Sequence, residues 1–472
     1  MKKITTLQII SILFISGYSF AQNVYNERNE NEIYSDKHTN DALHPCISES
    51  EYKALETEIE KNKKILGLDK ADNKTAVVTL LSWPLQPSAN LHDCSYYRIS
   101  AYVDQNTAAS AISDFNCGTN TYDGHKGTDI ATWPFNFYKM DNDLVEVIAA
   151  APGTIIAKHD GEYDRNCAAT AVSANYVMIQ HADGSKALYW HMKNGSITTK
   201  AVGDAIAVGE HVGVVGSSGS SSGPHLHFEV WSGATNATRV DPYSGTCNTL
   251  NASSWWANQK PHKETAIVKA SVHTTDIVLP GCPTTETLNE SNSYTIPFQG
   301  TGLPAGYAKF YIFIRDEVSG LAANMSILNP NGSTYLTWAY NSTTTTGSKT
   351  MGYSKVLPTT PGVYTYQATY NGITCSSTFT VVNTVGIPEL KEESLVRVYP
   401  NPSKGMLTIE TMDLNFSNAS IEVYNTLGAR VHESAIKSAK SQIELNLTSG
   451  IYYYKITNGE GLYSQGKLLI EN

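Results

Sequence analysis

The segment Gly223-Pro-His-Leu-His-Phe-Glu-Val230 carries two histidines two positions apart within a run of strand-forming residues. In an extended strand, alternate side chains point to the same face of the sheet. His225 and His227 are therefore predicted to face one point in space. Leu226 and Phe228 then face the opposite side, where we expect a hydrophobic core.

A histidine and an aspartate lie about a hundred residues upstream, in Gly124-His-Lys-Gly-Thr-Asp129. Gly127 is expected to free the backbone to turn, so that His125 and Asp129 converge. Two imidazoles and one carboxylate, with a fourth position open, form a ligand set typical of catalytic zinc. The two segments together predict a zinc site, and they leave one histidine over for proton transfer.

Glu229 and His191 extend this candidate site. Glu229 shares the strand face of His227, where it either orients a metal ligand by a hydrogen bond or meets solvent. His191 ends the strand-like stretch Ala187-Leu-Tyr-Trp-His191. Alternation predicts that His191 shares a face with Tyr189. A position at the end of a strand suits a side chain that points into a cleft.

The loop Gly216-Ser-Ser-Gly-Ser-Ser-Ser-Gly223 precedes the histidine strand. It lacks the G-K-[ST] ending of a phosphate-binding loop. It also lacks the following helix that a serine nucleophile elbow requires. We expect instead a glycine-rich wall that lets the backbone of a substrate approach closely.

The composition limits the function classes. A chain of 472 residues is too long to fold around a single hydrophobic core. Its 28 tyrosines and its low content of charged residues, 17%, favour β-structure. The net charge of −10 argues against a phosphate-backbone binder, so no nucleic acid partner is expected. Residues 1–21 read as a signal peptide, and no other segment is apolar enough to span a bilayer. We therefore expect a secreted chain without a transmembrane segment in its mature form.

The chain contains an odd number of cysteines, seven, so at least one has no partner within the chain. Cys282 and Cys375 bracket one later domain and are the expected pair. Four others lie within the candidate catalytic region and could form two bridges, whose connectivity the sequence does not give: Cys94, Cys117, Cys167 and Cys247. No C-x-x-C spacing occurs, which argues against a thiolate zinc site or a redox motif.

Four segments follow the signal peptide, and the expected fold class is mainly β. Residues 22–75 hold one helix, started by a Ser48-x-x-Glu51 capping box and ended at Gly67. This segment is either a surface helix on a flexible leader or a pro-segment that covers the cleft, and Cys46 could cap a metal.

The other three segments are dense in short strands. Residues 76–262 contain no long stretch in which apolar residues recur with the helical period of 3.6. We therefore expect an antiparallel sheet that carries the zinc site. Residues 263–385 predict an immunoglobulin-like β-sandwich, with a type I′ hairpin turn at Asn371-Gly372. Residues 393–472 again alternate in short strands and predict a second, small β-sandwich.

The site residues resemble those of the lysostaphin-type zinc endopeptidases, whose pattern is H-x-x-x-D, then a histidine after an aromatic strand, then H-x-H. One departure is Trp190-His-Met192, where the family more often has a small residue before the histidine and a leucine after it. The resemblance implies one zinc per chain. It makes His125, Asp129 and His227 the ligands, and it makes His191 and His225 the unliganded catalytic pair.

The same resemblance implies cleavage of peptide bonds next to glycine, in peptidoglycan peptides or in elastin-like glycine-rich protein. Peptidoglycan of other bacteria is the expected target. The motifs Tyr399-Pro-Asn-Pro-Ser-Lys-Gly405, Tyr424-Asn-Thr-Leu-Gly428 and Gly450-Ile-Tyr452 resemble a C-terminal sorting domain of the type nine secretion system. This second resemblance implies that the secretion machinery is a partner and that the protein reaches the cell surface or the medium.

Two alternatives stay open at this point. A cell-surface adhesin could use a non-catalytic peptidase-like domain to bind walls, with the aromatic-rich residues 263–385 supplying affinity. A glycan hydrolase would need a pair of carboxylates as acid and base. Only Asp129 and Glu229 lie near the motifs, and Asp129 is better used as a ligand.

Overall fold

A computed structural model describes residues 31–34, 46–69, 78–168, 170, 172–383, 396–411, 419–458 and 461–471. The described part is mainly β-structure with two α-helices, as the sequence predicted. The chain divides into two compact units, Met1–Thr384 and Val385–Asn472. The predicted signal peptide lies outside the described residues. In the part of the chain that is described, no helix is both long enough and apolar enough to cross a membrane.

The candidate site lies on an antiparallel sheet of eight strands, in the order β3-β4-β11-β8-β7-β6-β9 with β12 beside β11. A smaller sheet has the order β10-β5-β2. The elements of this region, and the short strand that precedes it, are β1 (Asn31–Tyr34), α1 (Glu49–Leu66), β2 (Leu85–Pro87), β3 (Tyr97–Ala101), β4 (Thr128–Thr132), α2 (Asn136–Asp141), β5 (Val145–Ile148), β6 (Gly153–His159), β7 (Tyr176–Gln180), β8 (Lys186–Trp190), β9 (Ala205–Ile206), β10 (His211–Val214), β11 (His225–Trp231), a 3₁₀ turn (Asn236–Thr238) and β12 (Arg239–Val240).

Strand β11 is buried on both faces, and the two faces differ in chemistry. Leu226, Phe228 and Val230 enter the main hydrophobic core of this region. His225 and His227 lie on the opposite face, as alternation requires. The predicted division of the strand into a core face and a site face is therefore confirmed.

Helix α1 covers the site face of the sheet. Its capping box is formed as predicted, because Ser48 Oγ accepts from the backbone N–H of Glu51 while the Glu51 carboxylate accepts from the backbone N–H of Ser48. Gly67 ends the helix in the left-handed conformation, with φ of 70°. The buried residues of α1 pack in one cluster with residues of the sheet: Tyr52, Leu55, Ile59, Met178, Leu188, Trp190 and Trp231.

The next region is a two-layer β-sandwich with one shared aromatic core. One sheet has the order β1-β18-β15-β13, and the other has the order β14-β20-β19-β16-β17, in which only β14 and β20 run parallel. Asn371 and Gly372 both have positive φ, as the predicted type I′ turn requires. The strands are β13 (Ala266–His273), β14 (Ser293–Ile296), β15 (Tyr307–Glu317), β16 (Ala322–Leu328), β17 (Thr334–Asn341), β18 (Thr346–Val356), β19 (Gly362–Tyr370) and β20 (Ile373–Asn383).

The C-terminal unit is a small antiparallel β-sandwich, as predicted. Its two sheets have the orders β21-β22-β25 and β24-β23-β26-β27, and they share one apolar core. The strands are β21 (Val396–Tyr399), β22 (Met406–Thr411), β23 (Ser420–Tyr424), β24 (Arg430–Ala435), β25 (Lys440–Glu444), β26 (Gly450–Asn458) and β27 (Gly461–Ile470).

Three disulfides join residues that are far apart in sequence: Cys94–Cys375, Cys117–Cys247 and Cys167–Cys282. The expected Cys282–Cys375 pair was therefore wrong, and only Cys117–Cys247 lies within the candidate catalytic region. The other two bridges link that region to the β-sandwich, because the two pack side by side within the first unit. Cys46 is the one free cysteine of the seven, all of which lie in described segments.

Candidate metal centre

Three side chains from two adjacent strands converge on one point. Asp129 lies on β4 directly across from His227 on β11, and His125 precedes β4. Asp129 Oδ1 lies 2.7 Å from His227 Nδ1 and 3.1 Å from His125 Nε2, and the two ring nitrogens are 3.2 Å apart. All three side chains are buried. The structure thus brings together the three predicted metal ligands.

The outer nitrogens of both histidines are held by acceptors. His125 Nδ1–H donates to the carbonyl of Tyr102 at 2.6 Å, so its Nε2 faces inward. His227 Nε2–H donates to Glu229 Oε1 at 2.8 Å, so its Nδ1 faces inward. Such outer hydrogen bonds set the tautomer and the orientation of a metal-binding imidazole. Glu229 is fully buried, which decides between the two roles expected for it.

The Glu229 carboxylate is itself held in place by two donors. Trp231 Nε1–H donates to Oε2 at 2.8 Å, and the Tyr52 hydroxyl donates to Oε1. Tyr52 belongs to helix α1, so the helix contacts the hydrogen-bond network behind His227. No pattern within β11 could have indicated this contact, because it depends on how α1 packs on the sheet.

Gly127 has a different role from the one expected. Its φ does not lie in the positive range, so it does not supply a special turn. A Cβ at this position would lie 2.7 Å from Cε1 of His227 and 2.9 Å from the carbonyl oxygen of Phe228. The glycine therefore leaves room for the ring of His227.

His191 and His225 lie beside the three predicted ligands, and their ring centroids are 4.5 Å apart. His191 Nδ1–H donates to the Ser218 carbonyl at 2.5 Å, and His225 Nδ1–H donates to the Gly223 carbonyl at 2.8 Å. The Nε2 atoms of both rings are buried and have no hydrogen-bond partner among the described residues. In the neutral form, each Nε2 therefore keeps a free lone pair.

The expected face of His191 was wrong. Tyr189 packs in the core with Phe228, whereas the ring of His191 lies on the site face near His225. The reason is the backbone of His191, whose φ of 71° is left-handed. This conformation reverses the alternation at the end of β8 and turns the imidazole toward the site.

The loop of residues 216–223 supports the histidines from behind. Its carbonyl groups accept from His191 and His225, as described above. A Cβ at Gly216 would meet the backbone of Lys193 at 2.4 Å, and one at Gly219 would meet Ala174 at 2.6 Å. These glycines therefore let the loop pack against the protein's own backbone, which differs from the substrate wall that was expected.

Cys46 lies at the same place, although it is 79 positions before His125 in the chain. Its Sγ lies 2.8 Å from the hydroxyl of Tyr122, whose ring stacks on that of His125. Potential ligand atoms of Cys46, His125, Asp129 and His227 all lie within 4.8 Å of one another. The helical N-terminal segment therefore brings a thiol to the edge of the centre.

Charge and burial act together on the site. Burial alone raises the pKa of the Asp129 carboxyl, but the charges of His125 and His225 outweigh it and hold that pKa well below its usual value. Burial, together with the nearby His225, lowers the pKa of His191. Asp129 is therefore an ionised carboxylate near neutral pH, which is the form that binds cations.

These residues fit a zinc ion. Tetrahedral zinc with bonds of ~2.0–2.1 Å places its ligand atoms ~3.3 Å apart. The three separations of 2.7, 3.1 and 3.2 Å lie close to that value. The donors are two imidazole nitrogens and one carboxylate oxygen, and Nε2 of His225 lies 3.7 Å from Asp129 Oδ1.

Residues 123–242 match the model of Peptidase family M23, and this range contains all five predicted site residues. Residues 397–471 match the secretion system C-terminal sorting domain. That domain indicates secretion by the type nine system to the cell surface or the medium.

Two curated relatives are similar to parts of the chain. The DD-carboxypeptidase/endopeptidase Mpg of Neisseria meningitidis serogroup B is 44% identical over 70 residues, which are 15% of each chain. An uncharacterized metalloprotease of Buchnera aphidicola is 30% identical over 135 residues, 29% of this chain and 28% of the relative. The chain therefore spans less than a third of the length of either relative.

Among solved structures, the catalytic domain of lysostaphin from Staphylococcus simulans is 26% identical, over 25% of this chain and 76% of that one, with a TM-score of 0.19. This TM-score is too low to support a comparison of the two folds. The two domains are therefore assigned from the family matches of residues 123–242 and 397–471. The chain therefore contains a peptidase domain of family M23 and a C-terminal sorting domain of the type nine secretion system.

Proposed function

We propose that this protein is a secreted zinc endopeptidase that hydrolyses glycine-containing peptide bonds in the peptidoglycan cross-links of other bacteria. The observation that carries the proposal is the convergence of His125, Asp129 and His227 beside two histidines with free Nε2 atoms. In this proposal the first three side chains bind one zinc ion per chain. His191 and His225 are the catalytic pair.

Zinc at this position would supply a Lewis acid that polarises the scissile carbonyl and makes a nearby water molecule more acidic. The protein's own residues supply the rest. Because the Nδ1–H groups of His191 and His225 are bound by carbonyls, their Nε2 atoms are available to accept a proton from water and to pass it to the leaving amine. In the protonated form the same Nε2–H groups would stabilise the oxyanion.

A cleft lies near strand β4, although none of the five predicted site residues lines it. It has a cavity volume of about 190 Å³ and reaches Ala131, which lies directly across from His225 in the sheet. Ala131 and Ser222 line it together with larger and charged side chains: Arg98, Trp133, Phe137, Glu286 and Phe313. The lining of this cleft therefore does not select glycine, and the preference for glycine is proposed from the family resemblance.

Secretion and the named relatives support the choice of target. The sorting domain indicates secretion to the cell surface or the medium, which supports a target outside the producing cell. The Neisseria relative is named as a DD-carboxypeptidase/endopeptidase, an activity directed at peptides. We therefore assign peptidoglycan peptides as the substrate class, with elastin-like glycine-rich protein as the second substrate to be assayed.

The experiment uses the full chain, purified with zinc, against peptidoglycan that contains glycine bridges and against elastin. Mass spectrometry of the products should find new termini at glycine. His225→Ala should retain one zinc and lose at least about 10²-fold in activity, while His227→Ala should lose the metal. Binding to walls without any new amino termini would contradict the proposal and would favour a wall-binding protein.

A further inference from the structure

Cys46 occupies the side of the centre that faces the two catalytic histidines. Its Sγ belongs to two groups of potential ligand atoms, one with His125, Asp129 and His227, and one with His191 and His225. Within each group all atoms lie within 4.8 Å of one another. The thiol therefore lies within 4.8 Å of atoms of both the three proposed ligands and the catalytic pair.

A second, independent observation points to the same place. The Nε2 atoms of His191 and His225 are buried without a hydrogen-bond partner among the described residues. Orphaned polar atoms in a buried site indicate a missing ligand or solvent. Cys46 is the only free thiol of the chain, since the other six cysteines form disulfides. A thiolate is also a preferred ligand of zinc.

Helix α1 holds the thiol in place through polar contacts along its length. Glu49 pairs with Lys126 at 2.8 Å, in the loop between two ligands. Glu56 accepts from the backbone and side chain of Asn236, at 2.9 and 2.8 Å. These contacts join the helix to the peptidase domain at its N-terminal half.

Further contacts continue toward the C-terminal end of the helix. The Tyr176 hydroxyl donates to Glu58 at 2.7 Å, and the Asn62 amide donates to the Ile156 carbonyl at 2.9 Å. With the buried apolar cluster beneath it, α1 is attached to the sheet over its whole length. A leader that merely lay on the surface would not need this continuous contact.

We propose that the Cys46 thiolate is a fourth ligand of the metal and that residues 46–66 thereby hold the peptidase in a latent form. This inference rests on the proposed function. The thiolate would fill the coordination position that the reaction needs, and the contacts of α1 with the sheet would keep it there. The full chain then keeps only a low activity, and full activity requires that Cys46 leaves the centre, either by removal of the segment or by loss of the thiol.

The first test measures the reactivity of the single thiol in the full chain. Iodoacetamide forms an S–C bond with the thiolate and releases iodide, and mass spectrometry follows the reaction at Cys46. Zinc loading should slow alkylation by at least about tenfold relative to the chelator-treated chain, because a metal-bound thiolate is a poor nucleophile. Magnesium, which prefers oxygen ligands, is the matched control and should leave the rate unchanged.

The second test replaces zinc by cobalt. The wild-type chain should show the intense near-ultraviolet charge-transfer absorption of a thiolate–cobalt bond, and Cys46→Ala should lack it while still binding one cobalt. The peptidase activity of the full-length Cys46→Ala variant should exceed that of the wild type by about tenfold or more. If Cys46→Ala folds poorly, the cobalt spectrum of the wild type alone still shows whether a thiolate binds the metal.

The outcomes separate the inference from the proposed function. One zinc per chain, with equal alkylation rates and no thiolate absorption, would overturn the inference and leave the peptidase intact. Absence of metal from both the wild type and Cys46→Ala would contradict both. A charge-transfer band with slow alkylation, together with an activated variant, would establish the latent thiolate.

Discussion

Glu229 accepts a hydrogen bond from Nε2 of His227 at 2.8 Å and thereby directs Nδ1 of the same ring toward Asp129 at 2.7 Å. The relationship explains why a glutamate lies buried two positions after a predicted ligand. The negative charge of the Glu229 carboxylate increases the basicity of the His227 imidazole. The burial of this carboxylate is offset by donors from Trp231, Tyr52 and His227.

Glu229→Gln should weaken metal binding by about tenfold or more, because the loss of an outer carboxylate typically costs 10–100-fold in affinity. The glutamine keeps the size of the side chain, but it removes the charge and replaces one acceptor oxygen by an NH₂ group that cannot accept from the surrounding donors. Competition of the full chain with a zinc chelator measures the effect. Glu444→Gln, at an exposed position of the C-terminal unit, should bind zinc like the wild type.

Gly127→Ala should displace His227, since the new Cβ would lie 2.7 Å from its ring and 2.9 Å from a backbone carbonyl. We expect a loss of about 1–3 kcal/mol in the free energy of unfolding and weaker zinc binding. Gly281→Ala is the matched control, because no atom lies within 4 Å of its Cβ position. If both variants bound zinc with equal affinity, the His227 ring would tolerate a Cβ at position 127, and the prediction would be wrong.

Asp93 should contribute to stability in a pH-dependent way. Its carboxylate pairs with Lys139 at 2.8 Å and Lys269 at 2.6 Å. Burial raises the pKa of Asp93, but the two lysines outweigh it, so the pKa in the folded chain is lowered. The contribution is therefore fully present above the pKa of the unfolded carboxyl, roughly 4, and is lost as the pH falls through the lower folded value.

The variant Asp93→Asn isolates this contribution. It leaves Lys139 buried without its carboxylate, and we expect a loss of about 3–5 kcal/mol near neutral pH. Urea unfolding of both proteins across the acid range measures the difference. That difference should shrink as the pH falls below about 4. A difference that does not change with pH would mean that the lysines do not depend on the charge of Asp93.

The disulfide pattern predicts both a peptide map and a loss of stability. Digestion without reductant should release peptides linked by Cys94–Cys375, Cys117–Cys247 and Cys167–Cys282. The double variant Cys94→Ala/Cys375→Ala should lose roughly 2–4 kcal/mol, since the bridge spans 281 positions and restricts the unfolded chain. A linked Cys282–Cys375 peptide would contradict this arrangement.

Local features of the sequence predicted much of the site, because they depend only on neighbouring residues. The period of two in β11 places His225 and His227 on one face whatever the rest of the fold does. The capping box of Ser48 and Glu51 likewise needs four consecutive residues and nothing else. The converging positions of His125 and Asp129 followed from spacing and from the family resemblance.

Features that depend on packing between distant segments were not predictable in the same way. The pairing of Cys94 with Cys375 follows from the contact between the peptidase region and the sandwich, which no short motif encodes. The left-handed backbone of His191 is set by its tertiary environment, so the alternation rule failed there. The position of Cys46 depends on how α1 packs on the sheet, and only the odd cysteine count indicated a free thiol.

The most direct test of the metal centre is anomalous diffraction at the zinc absorption edge, from crystals of the full chain grown with zinc. We predict one anomalous peak per chain, within ~2.0–2.2 Å of His125 Nε2, Asp129 Oδ1 and His227 Nδ1. A zinc peak bound elsewhere, or none at these three atoms in zinc-saturated crystals, would contradict the metal centre and the peptidase mechanism built on it.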